Sequence, residues 1–224
     1  SSSSSSCRAA STPKCADEFT QEEGSHQGVS ESKSIFVELC AGSGRMARAF
    51  SDAGWRGFGV DHRFNRHDCV APCFMADLSS SEGQNACTFM LMSEGVKCVG
   101  MEPPCGTASR SREIPLEASS GLAAPRPLRN AEHPLGFPHL KGLDAAKVAS
   151  ANSIYRYCAD VAAWFHVKGF WYIENPANSW LWWIPFIVEL SCLEGVVDIV
   201  YHACMHGGRR PKLQRLRTKR KALQ

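Results

Sequence analysis

Two short segments set reactive side chains where chemistry is feasible. Met101-Glu-Pro-Pro-Cys105-Gly-Thr-Ala-Ser109 places a cysteine behind two prolines, just past an apolar, strand-like run. Prolines fix φ, so the sulfur is held where the strand points it. A free thiol has a pKa of about 8.5, so little is thiolate at neutral pH. Nearby cations must lower it, and Arg110 and Arg112 follow closely. The second segment, Tyr172-Ile-Glu174-Asn-Pro176, puts a carboxyl group at the mouth of another apolar run. Neighbouring strand tips lie about 5 Å apart, so Cys105 and Glu174 can face one substrate. Desolvation beside Trp171 and Trp180 would raise the carboxyl pKa and suit it to donate a proton. Both residues also have plain readings. With eleven cysteines in the chain, any one is more often structural, and Glu174 can pair with a loop arginine.

A third set of residues suits a ligand. Gly42 and Gly44 follow the run Ser34–Cys40, and glycine lets a backbone turn tightly and approach a ligand closely. The helix start beyond them offers free N–H groups to an anion. Asp61, at the tip of the next strand-like run, can accept both hydroxyls of a ribose. Asp77, at the end of a third, can take an adenine amino group. Each acid alone is as well explained as a turn or cap residue; three strand ends in order look like an adenosine site. NAD is a rival, because Ala47 at the third glycine position of its fingerprint is tolerated. Zinc ligation by His202, Cys204 and His206, or by His67, Cys69 and Cys73, is set aside, since those spacings fit a strand face equally.

The elements that must position these groups alternate. Strands are expected at Ser34–Cys40, Gly57–Asp61, Phe74–Asp77, Val96–Met101, Phe170–Ile173 and Val196–Tyr201, and a seventh at Lys212–Thr218. Helices are expected at Arg45–Ala53, Gln84–Glu94 and Lys147–Val167, with a helical stretch at Trp180–Leu190 interrupted by Pro185. In the longest, Val148, Ala151, Tyr155, Cys158, Ala162 and Phe165 share one face by their three-and-four spacing. The fifth strand is expected to stop at Glu174-Asn-Pro176. The pattern is that of an α/β domain, a mostly parallel sheet with helices on both faces. Ligands in such sheets sit beyond the carboxyl ends of the strands, where every unusual motif here lies. Residues 1–33 are Ser-rich and expected to be disordered. The domain is expected over 34–218, including a loop and linker over 110–147, with a basic tail at 219–224.

Of 224 residues, 44% are hydrophobic and 21% charged, a normal globular balance. No apolar run reaches the ~18–20 residues of a membrane span, so no membrane partner is expected. The cysteine count is odd and the spacing irregular, which favours reduced, buried thiols in an intracellular protein over a disulfide framework. Eight Lys or Arg and no acid lie from Arg209 onward, on an otherwise acidic body. Such a terminus either meets nucleic-acid phosphates, serves as a localisation signal, or is simply solvated.

Taken in order, VELCAGSGRMARAF, the acid of GVDHR, MADL, EPPCGTAS and IENP resemble the motifs of cytosine-carbon-5 DNA methyltransferases. Gly208-Arg-Arg-Pro-Lys212 resembles a later Arg-rich element of that family. The similarity runs from about Ser34 to Thr218. It implies a Rossmann-like sheet of the S-adenosylmethionine-dependent methyltransferase type, and S-adenosylmethionine as cofactor. Contacts to the cofactor would come from Glu38, Ala41, Gly42, Ser43, Gly44, Asp61, Asp77 and Pro103. Cys105 would be the nucleophile that adds to the cytosine ring and Glu174 would hold ring nitrogen-3. Arg210 or Lys212 would steady the base or its loop, and Arg110–Lys141 would be a mobile loop closing over a flipped base. The implied partner is DNA, with RNA as the alternative, and the implied compartment is the nucleus rather than the cytoplasm. Gly106 replaces the usual Gln and Lys212 the usual Arg, whose bidentate fork a lysine lacks. The family's target-recognition region has no counterpart before Gln224, so recognition would come from a longer chain or a separate partner. Alternative readings are a methyltransferase-like binding module without turnover, and a methyltransferase acting on RNA or a small molecule.

Overall fold

The computed structural model describes residues 33–116, 121, 125–206 and 211–219. The expected disordered segment therefore lies outside the described residues, save Lys33. Seven strands form one sheet: β1 (Ile35–Leu39), β2 (Arg56–Asp61), β3 (Cys73–Met75), β4 (Val96–Met101), β5 (Phe170–Pro176), β6 (Val196–His202) and β7 (Leu213–Lys219). Their order is β3-β2-β1-β4-β5-β7-β6. The first five strands are mutually parallel, and β7 runs antiparallel between β5 and β6. This is the Rossmann-like, mostly parallel sheet with helices on both faces that the sequence led us to expect. The order reverses between β1 and β4, which opens a crevice beyond their carboxyl ends.

Alternation along the central strands sends residues to two apolar layers. Phe36, Cys98 and Tyr172 face α1 (Arg45–Asp52), where Ala47 and Phe50 pack on them. Val37, Leu39, Val99, Met101, Trp171 and Ile173 face the larger layer, built with α2 (Ser81–Leu91), α3 (Gly142–Phe165) and α4 (Pro185–Glu189). All six residues read as the inner face of α3 are buried. Ser80 caps α2 by accepting from the Gly83 N–H.

Four expectations change. β5 does not stop at Glu174, because β7 pairs with Glu174, Asn175 and Pro176 and keeps that backbone extended. The stretch after β5 is no single helix. It breaks into 3₁₀ turns at Trp180–Trp183 and Leu190–Cys192 around α4, which Pro185 begins. The basic C-terminal segment is partly structural, and Lys219, expected in the tail, ends β7. Arg217 is 4% exposed, and it and Arg215 bond Asp198 on β6. Finally, the described part of the expected mobile loop is anchored. Leu128 and Arg129 are each 1% exposed. Arg129 donates to Asn152 Oδ1 (2.7 Å), Pro134 O (2.8 Å) and Thr107 Oγ1 (3.0 Å).

Candidate functional site

The turn after β1 is wound unusually tightly. Cys40, Gly42 and Gly44 all adopt positive φ (58°, 53° and 68°). That conformation is natural for the glycines and strained for Cys40. The Gly42 N–H donates to Asp61 Oδ2 (2.7 Å), and His62 N–H donates to Asp61 Oδ1 (2.7 Å). Ala41 is buried and Gly44 N–H returns to its carbonyl (2.8 Å), while Ser43 O accepts from Val70 N–H (2.9 Å). Asp77 is exposed and accepts from the Ser79 hydroxyl (2.7 Å) and N–H (2.9 Å), which holds its carboxyl below the usual range.

Beside this turn, three carboxyl groups share the α1 side of the sheet. Glu38 is 1% exposed and Oε2 accepts from Ala47 N–H (2.7 Å), closing the start of α1. Burial pushes its pKa up to about 7. Glu102, one residue past β4, is pushed up to about 8 by burial and then by the charges of Glu38 and Glu174. Tyr172 donates to it (3.4 Å). Gly100 makes this reach possible, since a Cβ there would collide with the Tyr172 hydroxyl. Glu174 follows Tyr172 on the same side by strand alternation. Burial raises its pKa, opposed by the charge of Lys212, and its buried Oε1 has no hydrogen-bond partner among the described residues.

Cys105 is a free, half-buried thiol in the loop beyond β4. That loop is tied down from three directions. Asn175 Nδ2 donates to Pro103 O (2.8 Å), joining the two chemical motifs directly. Tyr155 on α3 donates to Pro104 O (2.6 Å), and Trp180 N–H donates to Ala108 O (2.9 Å). Gly106, where the family carries Gln, has no atom within 4 Å of an added Cβ, so a larger side chain would fit. Cys87 and Cys98, in contrast, are buried, and their thiols are pushed up to about 11 and 12.

A cavity of about 660 Å³ opens at the crevice between β1 and β4. Gly42, Asp61 and Asp77 line it, as three of the proposed ligand contacts should, together with Glu102, Pro104 and Asn65. Glu38, Ala41, Ser43, Gly44 and Pro103 are not among its lining residues. Nor are Cys105 and Glu174. A smaller hollow of about 400 Å³ shares Pro104, Ser150 and Ile154 with it and extends toward Gly106 and Thr107. Lys212 lies close enough to Glu174 to oppose its proton, whereas Arg210 lies outside the described residues. Among the described residues no His, Cys, Asp or Glu group of three or more is arranged to hold a metal.

Sequence reasoning missed Glu102, Tyr155 and Arg129. Glu102 read only as a strand stop before two prolines, although its place beside Cys105 was a usable signal. Tyr155 was read as core, and its hydroxyl contact spans 51 residues of chain.

Several solved methyltransferases resemble this chain in structure. The S. pombe Dnmt2 methyltransferase is 13% identical with a TM-score of 0.45, over 86% of this chain and 52% of that one. The chain thus spans about half the length of that protein. The glycopeptide N-methyltransferase MtfA is 11% identical, with a TM-score of 0.35, over 84% of each chain. A second MtfA structure, complexed with S-adenosyl-L-methionine, gives 11% and 0.34, over 86% of this chain and 90% of that one. These likenesses concern the fold. No protein-family model matches the chain, and no curated protein matches it.

Proposed function

We propose that the chain is the cofactor and catalytic half of an S-adenosylmethionine-dependent methyltransferase acting on carbon-5 of cytosine in DNA. The observation that carries this reading is the Asn175–Pro103 bond, which fastens the Pro-Cys loop to the Glu-Asn-Pro strand at the edge of an adenosyl-sized cavity. The residues present fit the cofactor. Asp61 faces the cavity with spare lone pairs for a ribose, Asp77 is ionised and exposed, and the Gly42 turn leaves the backbone open. When bound, the cofactor supplies an electrophilic methyl group on a sulfonium.

The chain's own groups supply the rest. The Cys105 thiolate adds to carbon-6 of the ring, forming an S–C bond and moving electron density to carbon-5. Glu174, whose pKa burial raises, donates a proton at ring nitrogen-3 and takes it back later. After carbon-5 gains the methyl group, a base removes its proton and the S–C bond breaks, which frees Cys105. A base within a duplex must be flipped out first, at a few kcal/mol. DNA as partner, recognition by a further segment or protein, and action in the nucleus belong to the same proposal.

The test is a covalent trap. DNA carrying 5-fluorocytosine, incubated with protein and S-adenosylmethionine, should give a stable adduct with wild type and none with Cys105→Ser. An adduct formed with RNA alone would move the substrate class. The placement of Cys105 and Glu174 outside the cavity lining favours a second reading, a binding module without turnover. That reading expects heat on titrating S-adenosylhomocysteine, lost in Asp61→Ala, and no adduct with either nucleic acid. No heat from the wild type would remove both.

A further inference from the structure

At the amino ends of the parallel strands, the pole opposite the cavity above, lies another hollow of about 540 Å³. Trp55, Lys97, Val167, Lys168, Phe170 and Lys219 contribute to its wall, and among the described residues no carboxylate does. Its volume falls within the range of small-molecule pockets. The Lys168 ammonium donates to Leu91 O (2.7 Å) and Ser93 O (3.0 Å), and that of Lys219 donates to His166 O (2.6 Å). An ammonium has three donors, so Lys168 keeps one and Lys219 two. Lys97 is exposed and makes no hydrogen bond or ion pair among the described residues. Burial, and next the charge of Lys97, lower the Lys168 pKa, and the charge of Glu94 opposes them. Trp55 is half-buried and braced edge-on by Phe50 (centroids 5.3 Å, 85°), so its ring is a fixed wall.

Ammonium groups beside a braced aromatic ring are the elements from which single-stranded nucleic-acid sites are built, phosphate against charge and base against ring. We propose that this hollow binds one nucleotide unit, its phosphate among Lys97, Lys168 and Lys219 and its base against Trp55 or Phe170. The unit is either a free mononucleotide or one residue of a single strand. The site is separated from the Cys105 loop by the length of β4, roughly 20 Å, and does not rest on the methyl-transfer reading.

The experiment uses the full chain with thymidine 5′-monophosphate, a labelled short oligothymidine and inorganic phosphate, by calorimetry and fluorescence anisotropy. Arg209, Arg210, Arg220 and Lys221 can hold any polyanion, so the decisive comparison is between variants. Lys97→Glu should weaken nucleotide binding by about tenfold or more while Lys97→Arg retains it, both with an unchanged melting profile. Trp55→Phe should weaken it less. Binding of the mononucleotide identifies the free form as ligand; Lys97-dependent binding of the oligonucleotide alone identifies the strand. The proposal fails if neither ligand binds, if Lys97→Glu leaves both affinities unchanged, or if inorganic phosphate binds as tightly as the nucleotide.

Discussion

Replacing Glu102 by Gln should make the protein more resistant to unfolding at alkaline pH and leave it unchanged at pH 5. The carboxyl's pKa rises from 4.5 in the unfolded chain to about 8 in the folded one. Between these values the folded state holds a proton that the unfolded chain releases, so stability falls as pH rises. It is fully present below about pH 4.5 and is lost as pH passes 8. At about 1.4 kcal/mol for each pH decade, the ceiling is about 5 kcal/mol. Glu102 is partly exposed to the cavity and near Lys212, and Glu38 titrates with it, so we expect about 2 kcal/mol. Gln keeps an oxygen for the Tyr172 hydroxyl and carries no charge at any pH. Urea unfolding of both proteins at pH 5, 7 and 9 measures the difference. Wild type should lose stability across this range and Glu102→Gln distinctly less. Parallel curves would refute the placement of a protonated carboxyl at the head of β4.

The same geometry sets four further outcomes. Arg217→Met removes a buried guanidinium from Asp198 and the Ile187 carbonyl and should cost about 3 kcal/mol, read as a lower melting temperature. Gly100→Ala drives a methyl group into Tyr172 and should cost about 1–3 kcal/mol by the same measurement. Tyr155→Phe leaves Pro104 O without its donor and should cost about 1 kcal/mol in urea. Because that bond positions the Cys105 loop, trapping by 5-fluorocytosine DNA should also slow. S-adenosylmethionine, a sulfonium, should release a proton near Glu102 on binding at pH 7.5, whereas neutral-sulfur S-adenosylhomocysteine should not. Calorimetry in buffers of differing ionisation enthalpy separates the two.

The centre of the sheet was legible in the sequence because β1, β4 and β5 are mainly apolar runs, the signature of strands covered on both faces. Of the helices, α3 was legible from the periodicity of its buried face. What periodicity could not supply was pairing. Nothing local in Ile-Glu-Asn-Pro says that the backbone continues as a strand; that follows from Leu216 lying opposite Glu174. Nor does a Pro- and Arg-rich stretch announce that Arg129 is buried, since its partners Asn152 and Thr107 lie 23 and 22 residues away. The candidate ligand residues stood out as strand ends in order. Which of them line the cavity depended on side-chain direction. Glu38 is the clear instance, a strand-end acid that turns inward to Ala47.

Burial first keeps the Glu102 carboxyl protonated near neutral pH, and strand parity adds the charges of its neighbours to that effect. Glu38, Glu102 and Glu174 fall on the same side of neighbouring strands; Glu102 stands level with Glu174, about 5 Å across, while Glu38 lies opposite Gly100, two residues further back. Two such charges repel by about 3 kcal/mol at an effective dielectric constant of 20. The row therefore cannot ionise together, and Glu102, between the other two, carries the repulsion of both. Glu174 stands at the end of the row, next to Lys212, which eases its ionisation against the pull of burial. A carboxyl group balanced in that way suits an acid that must give a proton to a ring nitrogen and take it back. The balance exists because the antiparallel β7 is inserted beside β5. Had the sheet continued with a parallel strand there, the carboxyl ends of both strands would point the same way, and the segment holding Lys212 would begin at the opposite pole from Glu174.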